Sequence, residues 1–413
     1  MNFRNVQDIA EWRLCVGCGA CAYACPENKI QLIDILDDGI RPIINSDSCG
    51  SCDECIRVCP GYDTSHSDSS YIPGINTELK TSWGPILEIW EGYAADREIQ
   101  FNGSSGGLVS AISLYCIEKR GMYGVLHIGT DPNKPWKNKT VLSRNRLDLL
   151  ARTGSRYSPA SPCDELKQIE SASAPCVFIG KPCDVLGLKK SQFSNSGLDK
   201  KIGVAIGFFC AGTPSTNGTM ELFKSLNVDP DKINEVRYRG KGWPGVAKVK
   251  SGGENPLSKE MSYKKSWGLL QKHRPFRCHL CPDGTSEFAD ISCGDPWYRE
   301  IEEGESGSSL ILVRSERGRK ILREAMDSGY IFLNRVDSEM LEKSQKNLLK
   351  KRRRIWGMLV AMKVFGIPTP QFKGFALFKN WLNLSMVGKV RSILGTFRRI
   401  IQRRYYRKLE SFK

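Results

Sequence analysis

Residues 15–26 read CVGCGACAYACP, and residues 49–60 read CGSCDECIRVCP. The first stretch sets Cys15, Cys18, Cys21 and Cys25 in the pattern C-x2-C-x2-C-x3-C-P, and the second repeats it with Cys49, Cys52, Cys55 and Cys59. Three thiolates at this spacing wrap one face of an iron–sulfur cubane, while the fourth, turned away by Pro26 or Pro60, ligates the other cluster. The spacing therefore assigns Cys15, Cys18, Cys21 and Cys59 to one [4Fe–4S] cluster. It assigns Cys49, Cys52, Cys55 and Cys25 to a second. Zinc ribbons also use paired C-x2-C units, but they need two pairs; here there are two quartets, each closed by Cys-Pro.

Working outward, residues 1–63 form a ferredoxin-type module in this reading. Its intervening apolar stretch Ile30–Leu36, with Ile40, Ile43 and Ile44, excludes water from the clusters, which is a lever on their potential. The chain has 413 residues, room for two or three domains. Half of its 16 cysteines lie between Cys15 and Cys59, unlike the even framework of a small secreted, disulfide-stapled domain. The opening MNFRNVQDIAEWRLC contains no apolar core of a signal peptide. The longest apolar runs, Ile202–Gly212 and Ile355–Met362, fall short of the roughly 20 residues that span a bilayer. A reducing, cytoplasmic compartment is expected.

The formal net charge of +16 is confined to one end. Residues 348–413 contain 17 Lys/Arg and one acidic residue, Glu410, whereas the rest of the chain is neutral, with 44 basic and 44 acidic side chains. In this tail Val390, Ile393, Leu394, Phe397, Ile400, Ile401, Tyr405 and Leu409 recur at helical spacing. Lys389, Arg391, Arg398, Arg399 and Arg403 mostly take the other face. Such a helix lies on an anionic membrane surface or covers a partner. A nucleic-acid partner is not expected, because the body is neutral and no nucleic-acid motif is present.

Five segments follow: the module at 1–63, a polar Pro/Gly-containing linker at 64–82, a body in two parts at 83–165 and 166–347, and the basic helical tail at 348–413. The body alternates helix-like stretches (GGLVSAISLYCIEKR, TMELFKSL) with strand-like ones (CVFIG, KIGVAIGFFCAG), the pattern of an α/β or α+β fold.

Iron–sulfur clusters move single electrons, so an enzyme that uses them normally also needs a two-electron cofactor such as a flavin. Gly103, Ser104, Ser105, Gly106 and Gly107 stand immediately before an apolar helix, where small residues let backbone N–H groups approach a phosphate. Such loops are also common without a ligand, and this one is neither a Walker loop nor G-x-G-x-x-G. Cys183 and Cys210 each follow a strand-like run, and Cys278 and Cys281 form a further C-x2-C. These four thiols either hold a third cluster or serve as half a zinc site and core residues. Cys116 reads as core. Cys163, Cys176 and Cys293 are open, with Cys293 a reserve ligand. The four histidines show no catalytic grouping, and no catalytic side chain is assigned.

The body resembles the beta subunit of coenzyme F420 hydrogenase/dehydrogenase, a family that also includes a chlorophyll-cycle reductase of plants. The resemblance rests on NGSSGGLVSAI, GSRYSPASP, FIGKPCDVLGLKK, GFFCAGTPS, YRGKGWPG and RPFRCHLCPDGTSEFADISCGDPW, in that order through most of Trp83–Val313. It implies FAD and a [4Fe–4S] cluster in the body, and it extends to members with a fused N-terminal ferredoxin. By this resemblance Gly103–Gly107, Ser155, Arg156, Tyr157 and Lys181 contact FAD, and Cys183, Cys210, Cys278 and Cys281 ligate the third cluster. Arg239, Lys241, Trp243, Asp290 and Asp295 become pocket residues, or else loop-forming and salt-bridging ones. The implied reaction is hydride exchange between FAD and coenzyme F420 or another organic donor or acceptor, with electrons passed singly to a redox partner protein or subunit. The alternatives are a non-catalytic electron relay, a membrane-tethered adaptor, and a redox protein on the inner face of the cell membrane that serves polysaccharide or envelope biosynthesis.

Overall fold

Turn chemistry shapes the N-terminal module. A hairpin of β1 (Ile30–Ile35) and β2 (Gly39–Ile44) pairs Ile30 with Ile44 and Ile35 with Gly39. Ile30 and Leu32 pack onto the buried Cys21, Cys55 and Cys59. Leu36 instead lies exposed at the hairpin tip and takes no part in that screen. The computed structural model describes every residue except 1–2, 46–48, 50–51, 67–72, 253–255, 303 and 411–413.

The stretch expected to be a linker is more ordered than its composition implies. It begins in β3 (Asp63–Ser65) and ends in a helix over Thr77–Trp83, capped by the Asn76 side chain. His66 pairs with Glu287 of the body at 2.8 Å, a contact that no local reading of a polar segment reveals.

The body is a mixed sheet with helices on both faces. Its strands are β4 (Glu88–Ala94), β5 (Val125–Thr130), β6 (Asn138–Ser143), β7 (Cys176–Gly180) and β8 (Ile202–Phe208). A separate antiparallel sheet of β9 (Ile233–Arg237), β10 (Val246–Ser251) and β11 (Leu257–Ser262) intervenes. The main sheet then continues with β12 (Ile291–Gly294), β13 (Ser309–Val313) and β14 (Ile331–Arg335). Its order is β14-β4-β13-β12-β8-β7-β5-β6. The four central strands β12, β8, β7 and β5 are parallel, and the outer pairings are antiparallel. The strand-like CVFIG and KIGVAIGFF thus become neighbouring central strands, as their continuous apolar character requires of a sheet buried on both faces.

Alternate residues divide between two cores. Val125, Val177 and Val204 face the helices Leu108–Glu118 and Glu316–Asp327. Leu126, Phe178 and Ala205 face Leu166, Ile169, Val185 and Leu188. Cys18, Ala20 and Val58 of the N-terminal module enter this second core, so the module is seated on the body. Gly19 permits the approach: it has φ +88°, and a Cβ there would meet Asp164 N at 2.8 Å.

The tail is no appendage, which corrects its reading as a separate basic helix. Helix Lys346–Val364 buries Leu348, Leu349, Ile355, Met358 and Met362, and β15 (Gln371–Lys373) pairs in parallel with β3. The last helix, Met386–Gln402, buries Ser392, Thr396 and Ile400. Ile400 and Tyr405 pack with Cys55, Cys59 and Phe276. Its apolar residues are therefore split: Val390, Leu394 and Ile401 remain 50%, 57% and 58% exposed. Among the described residues no helix is long and apolar enough to cross a membrane.

Candidate redox site

All sixteen cysteines are free thiols. Burial first, and then the charges of Cys15, Cys18, Cys59 and Cys55, push the Cys21 thiol well above the ordinary range. Burial and then Cys49, Cys52 and Cys25 push up Cys55. The fold thus brings Cys59 to the first quartet and Cys25 to the second, the crossed grouping that the two Cys-Pro turns require. Cys15, Cys18, Cys21 and Cys59 are buried, whereas Cys25 and Cys49 are half-buried and Cys52 is exposed. The second group therefore lies nearer solvent. Cys163 packs beside Cys18 and donates to the Asp184 carbonyl at 3.2 Å.

The body thiols converge from three separate segments. Cys183 opens the helix Pro182–Ser194 just past β7, Cys210 follows β8, and Cys278 lies in the short helix Phe276–His279 with Cys281 just past it. All four line one cavity of about 60 Å³, together with Lys181, Lys351 and Cys15. Burial pushes Cys210 up to about 12, with Cys278 and Cys281 adding to it and Lys351 opposing. Cys183 is raised by burial and Asp184, and further by Cys210 and Cys281. Among the described residues no group of three or more His, Cys, Asp or Glu is arranged to hold a metal ion. A sulfur-only set spread around a cavity fits a cubane better than a single ion, whose ligands converge on one point. Cys293 is elsewhere, in the core with Cys116, and Cys176 is buried in the second core. Lys351 had no signal in sequence beyond the basic run that contains it.

The Gly-rich loop precedes helix Leu108–Glu118, and Gly107 takes φ +72°. Ser155 N donates to Ser104 Oγ at 2.5 Å, which joins two stretches 51 positions apart. Ser105 Oγ donates to the Ser308 carbonyl, and Gly106 N to Ser309 Oγ at 2.9 Å. A Cβ at Gly106 would meet Gly92 O at 2.6 Å, so this glycine serves close backbone packing. Arg156 gives its guanidinium to Asn138 Oδ1, Thr130 Oγ1 and the Pro135 and Lys137 carbonyls, a scaffolding arrangement. Lys181 pairs with Asp184 at 2.6 Å and belongs to the thiol cavity.

Arg237, which the motifs did not single out, reaches the same loop. One of its nitrogens donates to Asn102 O, and it crowds Gly154 and Gly240. Its Nε is buried without a partner, and burial lowers the guanidinium from its ordinary value. A buried, unsatisfied cationic donor between a Gly-rich loop and Ser155 suits a phosphate-bearing cofactor. The only sequence signal was its place one residue ahead of YRGKGWPG.

Next to Tyr157 stands an aromatic shelf. Trp297 stacks on Trp243 (centroids 5.2 Å apart) and on Tyr263 (5.6 Å). Asp295 accepts from both ends of the Arg239 guanidinium and from Trp243 Nε1 at 2.8 Å. Arg239 lies over Tyr263 and Trp297. Asp290 instead accepts from Ala205 N and Ser315 Oγ, a structural role, and Lys241 is exposed.

Comparison with known proteins agrees with this arrangement. Residues 89–167 match the model of the coenzyme F420 hydrogenase/dehydrogenase beta subunit N-terminal region, and 175–339 match that of its C-terminal region. Residues 9–64 match a 4Fe-4S dicluster domain. The chain is 24% identical over 366 residues to a coenzyme F420-dependent sulfite reductase of Methanocaldococcus jannaschii, aligning over 84% of this chain and 51% of the reductase. It thus spans about half the length of that relative. It is also 24% identical to the coenzyme F420 hydrogenase subunit beta of Methanothermobacter thermautotrophicus, over 70% of this chain and 99% of that subunit. A chain of the xenon-derivatised F420-reducing [NiFe] hydrogenase complex of Methanosarcina barkeri shares the fold, with a TM-score of 0.56 at 21% identity over 70% of this chain and 97% of its own.

Proposed function

Because the chain belongs to the coenzyme F420 hydrogenase/dehydrogenase beta-subunit family, we propose that it is an iron–sulfur flavoprotein oxidoreductase. It exchanges a hydride between FAD and coenzyme F420 or another organic substrate, and passes electrons singly through three [4Fe–4S] clusters to a partner protein or subunit. The observation that carries this reading is the convergence of Cys183, Cys210, Cys278 and Cys281 on a cavity that Cys15 also lines. The thiols then run in one direction, from the body quartet through Cys15 and Cys21 to Cys55 and the exposed Cys52. A partner approaches on the Cys49 and Cys52 side.

Bound FAD supplies the link between two-electron and one-electron exchange. Gly103–Gly107, Ser155 and Arg237 would hold its phosphates, and the aromatic shelf beside Tyr157 offers a flat apolar wall. Lys181 and Lys351 set positive charge beside the body thiolates, which favours the charged form of the ligands. The test is anaerobic quantification of iron, sulfide and flavin. About 12 iron atoms and one FAD per chain are expected, and bleaching of the flavin band by reduced F420 or another hydride donor. Intact clusters without flavin would leave an electron relay in place of an enzyme.

A second reading concerns the last helix. Its exposed Val390, Leu394 and Ile401, in a segment of strongly positive charge, support attachment to an anionic membrane surface. Deleting residues 348–413 would strip buried core, so the appropriate variant is Val390→Asp with Leu394→Asp. Flotation with phosphatidylglycerol liposomes should fall severalfold in that variant; equal flotation refutes the attachment.

A further inference from the structure

Segment 268–279, the last helix and the residues just after it line a half-open cavity of about 420 Å³ whose walls carry Lys272, Arg274, His279, Arg399, Arg403 and Tyr405. No carboxylate lines it. Among the described residues none of its four cations takes part in an ion pair. Arg274 is partly engaged, donating to Gln271 O at 2.9 Å and Ala211 O at 2.7 Å. The side chains of Arg399, Arg403 and Lys272 have no protein acceptor among the described residues.

Like charges gathered in a partly enclosed space repel one another, and the repulsion grows as water is excluded. The cost is visible at Arg399: burial lowers it first, Tyr405 opposes, and Arg403 and Arg354 lower it further. Arg354 Nε is itself buried without a partner. A ligand that carries two or more negative charges relieves this repulsion. Guanidinium groups in particular select planar or tetrahedral oxyanions, which accept paired N–H donors. The volume lies in the range of small-ligand sites, about 300–1,000 Å³.

We propose that this cavity binds a diphosphate or a comparably charged phosphate ester. The source is either a free phosphorylated molecule or the headgroup of an anionic lipid. The site goes beyond the redox reading and does not depend on it. Arg399 and Arg403 lie past residue 339, where the family match ends, so the site belongs to this chain's own C-terminal helix.

The test uses the full-length, anaerobically purified protein. Calorimetric titration with inorganic pyrophosphate should give saturable binding, weakened about tenfold or more in Arg399→Gln/Arg403→Gln, since that variant removes two charge-assisted contacts. The pair Arg391→Gln/Arg398→Gln, on the same helix but not lining the cavity, should bind as the wild type does, and iron and flavin content should be unchanged in both. A second arm titrates phosphatidic acid vesicles in the presence and absence of pyrophosphate. Competition that is lost in the Arg399/Arg403 variant identifies a lipid headgroup; pyrophosphate binding without competition identifies a free phosphate. No saturable binding to either probe, or equal weakening in both double variants, overturns the site.

Discussion

Arg352→Leu is expected to destabilise the protein by about 3–5 kcal/mol, read as a fall in the denaturant midpoint of the iron-loaded chain. Arg352 and Glu287 form a buried ion pair between the helix Lys346–Val364 and the body. Arg352 also donates to Pro282 O at 3.3 Å and Phe375 O at 3.1 Å. Glu287 accepts from His66 Nε2 at 2.8 Å, so three segments of the chain meet at one carboxylate. Removing the arginine leaves a buried carboxylate with His66 as its hydrogen-bonded partner and Arg314 acting only through space, and that weakly compensated charge is the source of the large effect. Arg353→Leu, by contrast, breaks only a 3.8 Å contact with the exposed Glu342 and should cost no more than about 1 kcal/mol. Similar losses in the two variants would refute the assignment.

The same pair has a pH signature. Burial pushes the Glu287 carboxyl up, but Arg352 and then His66 hold it down to about 2, against an ordinary value of 4.5. A carboxyl held low in the folded state stabilises fully above its unfolded value and loses that contribution as pH falls through the folded one. The contribution should therefore be complete above about pH 4.5 and fade toward pH 2, and Arg352→Leu should lose this part of the acid dependence.

Cys278→Ser with Cys281→Ser should lower the iron content from about 12 to about 8 atoms per chain. The remaining eight belong to the N-terminal quartets, whose thiols are untouched. Hydride donors should still bleach the flavin, while reduction of the remaining clusters by the same donor is lost, because the proposed route passes electrons from the flavin through the body thiols to the N-terminal quartets. Retention of 12 iron atoms would remove these two cysteines from the ligand set. Loss of all iron would point instead to general unfolding, which circular dichroism distinguishes.

Several features were legible in the chain itself. The two Cys-Pro quartets were legible as a 4Fe-4S dicluster motif, because ligand spacing along a turn is a local property. The central strands Cys176–Gly180 and Ile202–Phe208 were equally local, read from continuous apolar runs. Arg237 escaped notice because its significance lies in an unpartnered Nε beside a loop more than 130 positions away. The tail misled for a related reason. Periodicity places Val390, Leu394 and Ile400 on one apolar face, but only packing decides that Ile400 is buried while the other two are exposed.

By itself, then, the sequence determined that this protein carries cubane-type thiol quartets on an α/β body, since motif spacing and strand patterning act over a few residues. The tertiary structure alone decided that the four body thiols share a cavity with Cys15, and that the basic tail is part of the core. It also decided where unpaired cations face one another. Those outcomes depend on burial and charge between segments that only folding brings into contact, and no local pattern records them.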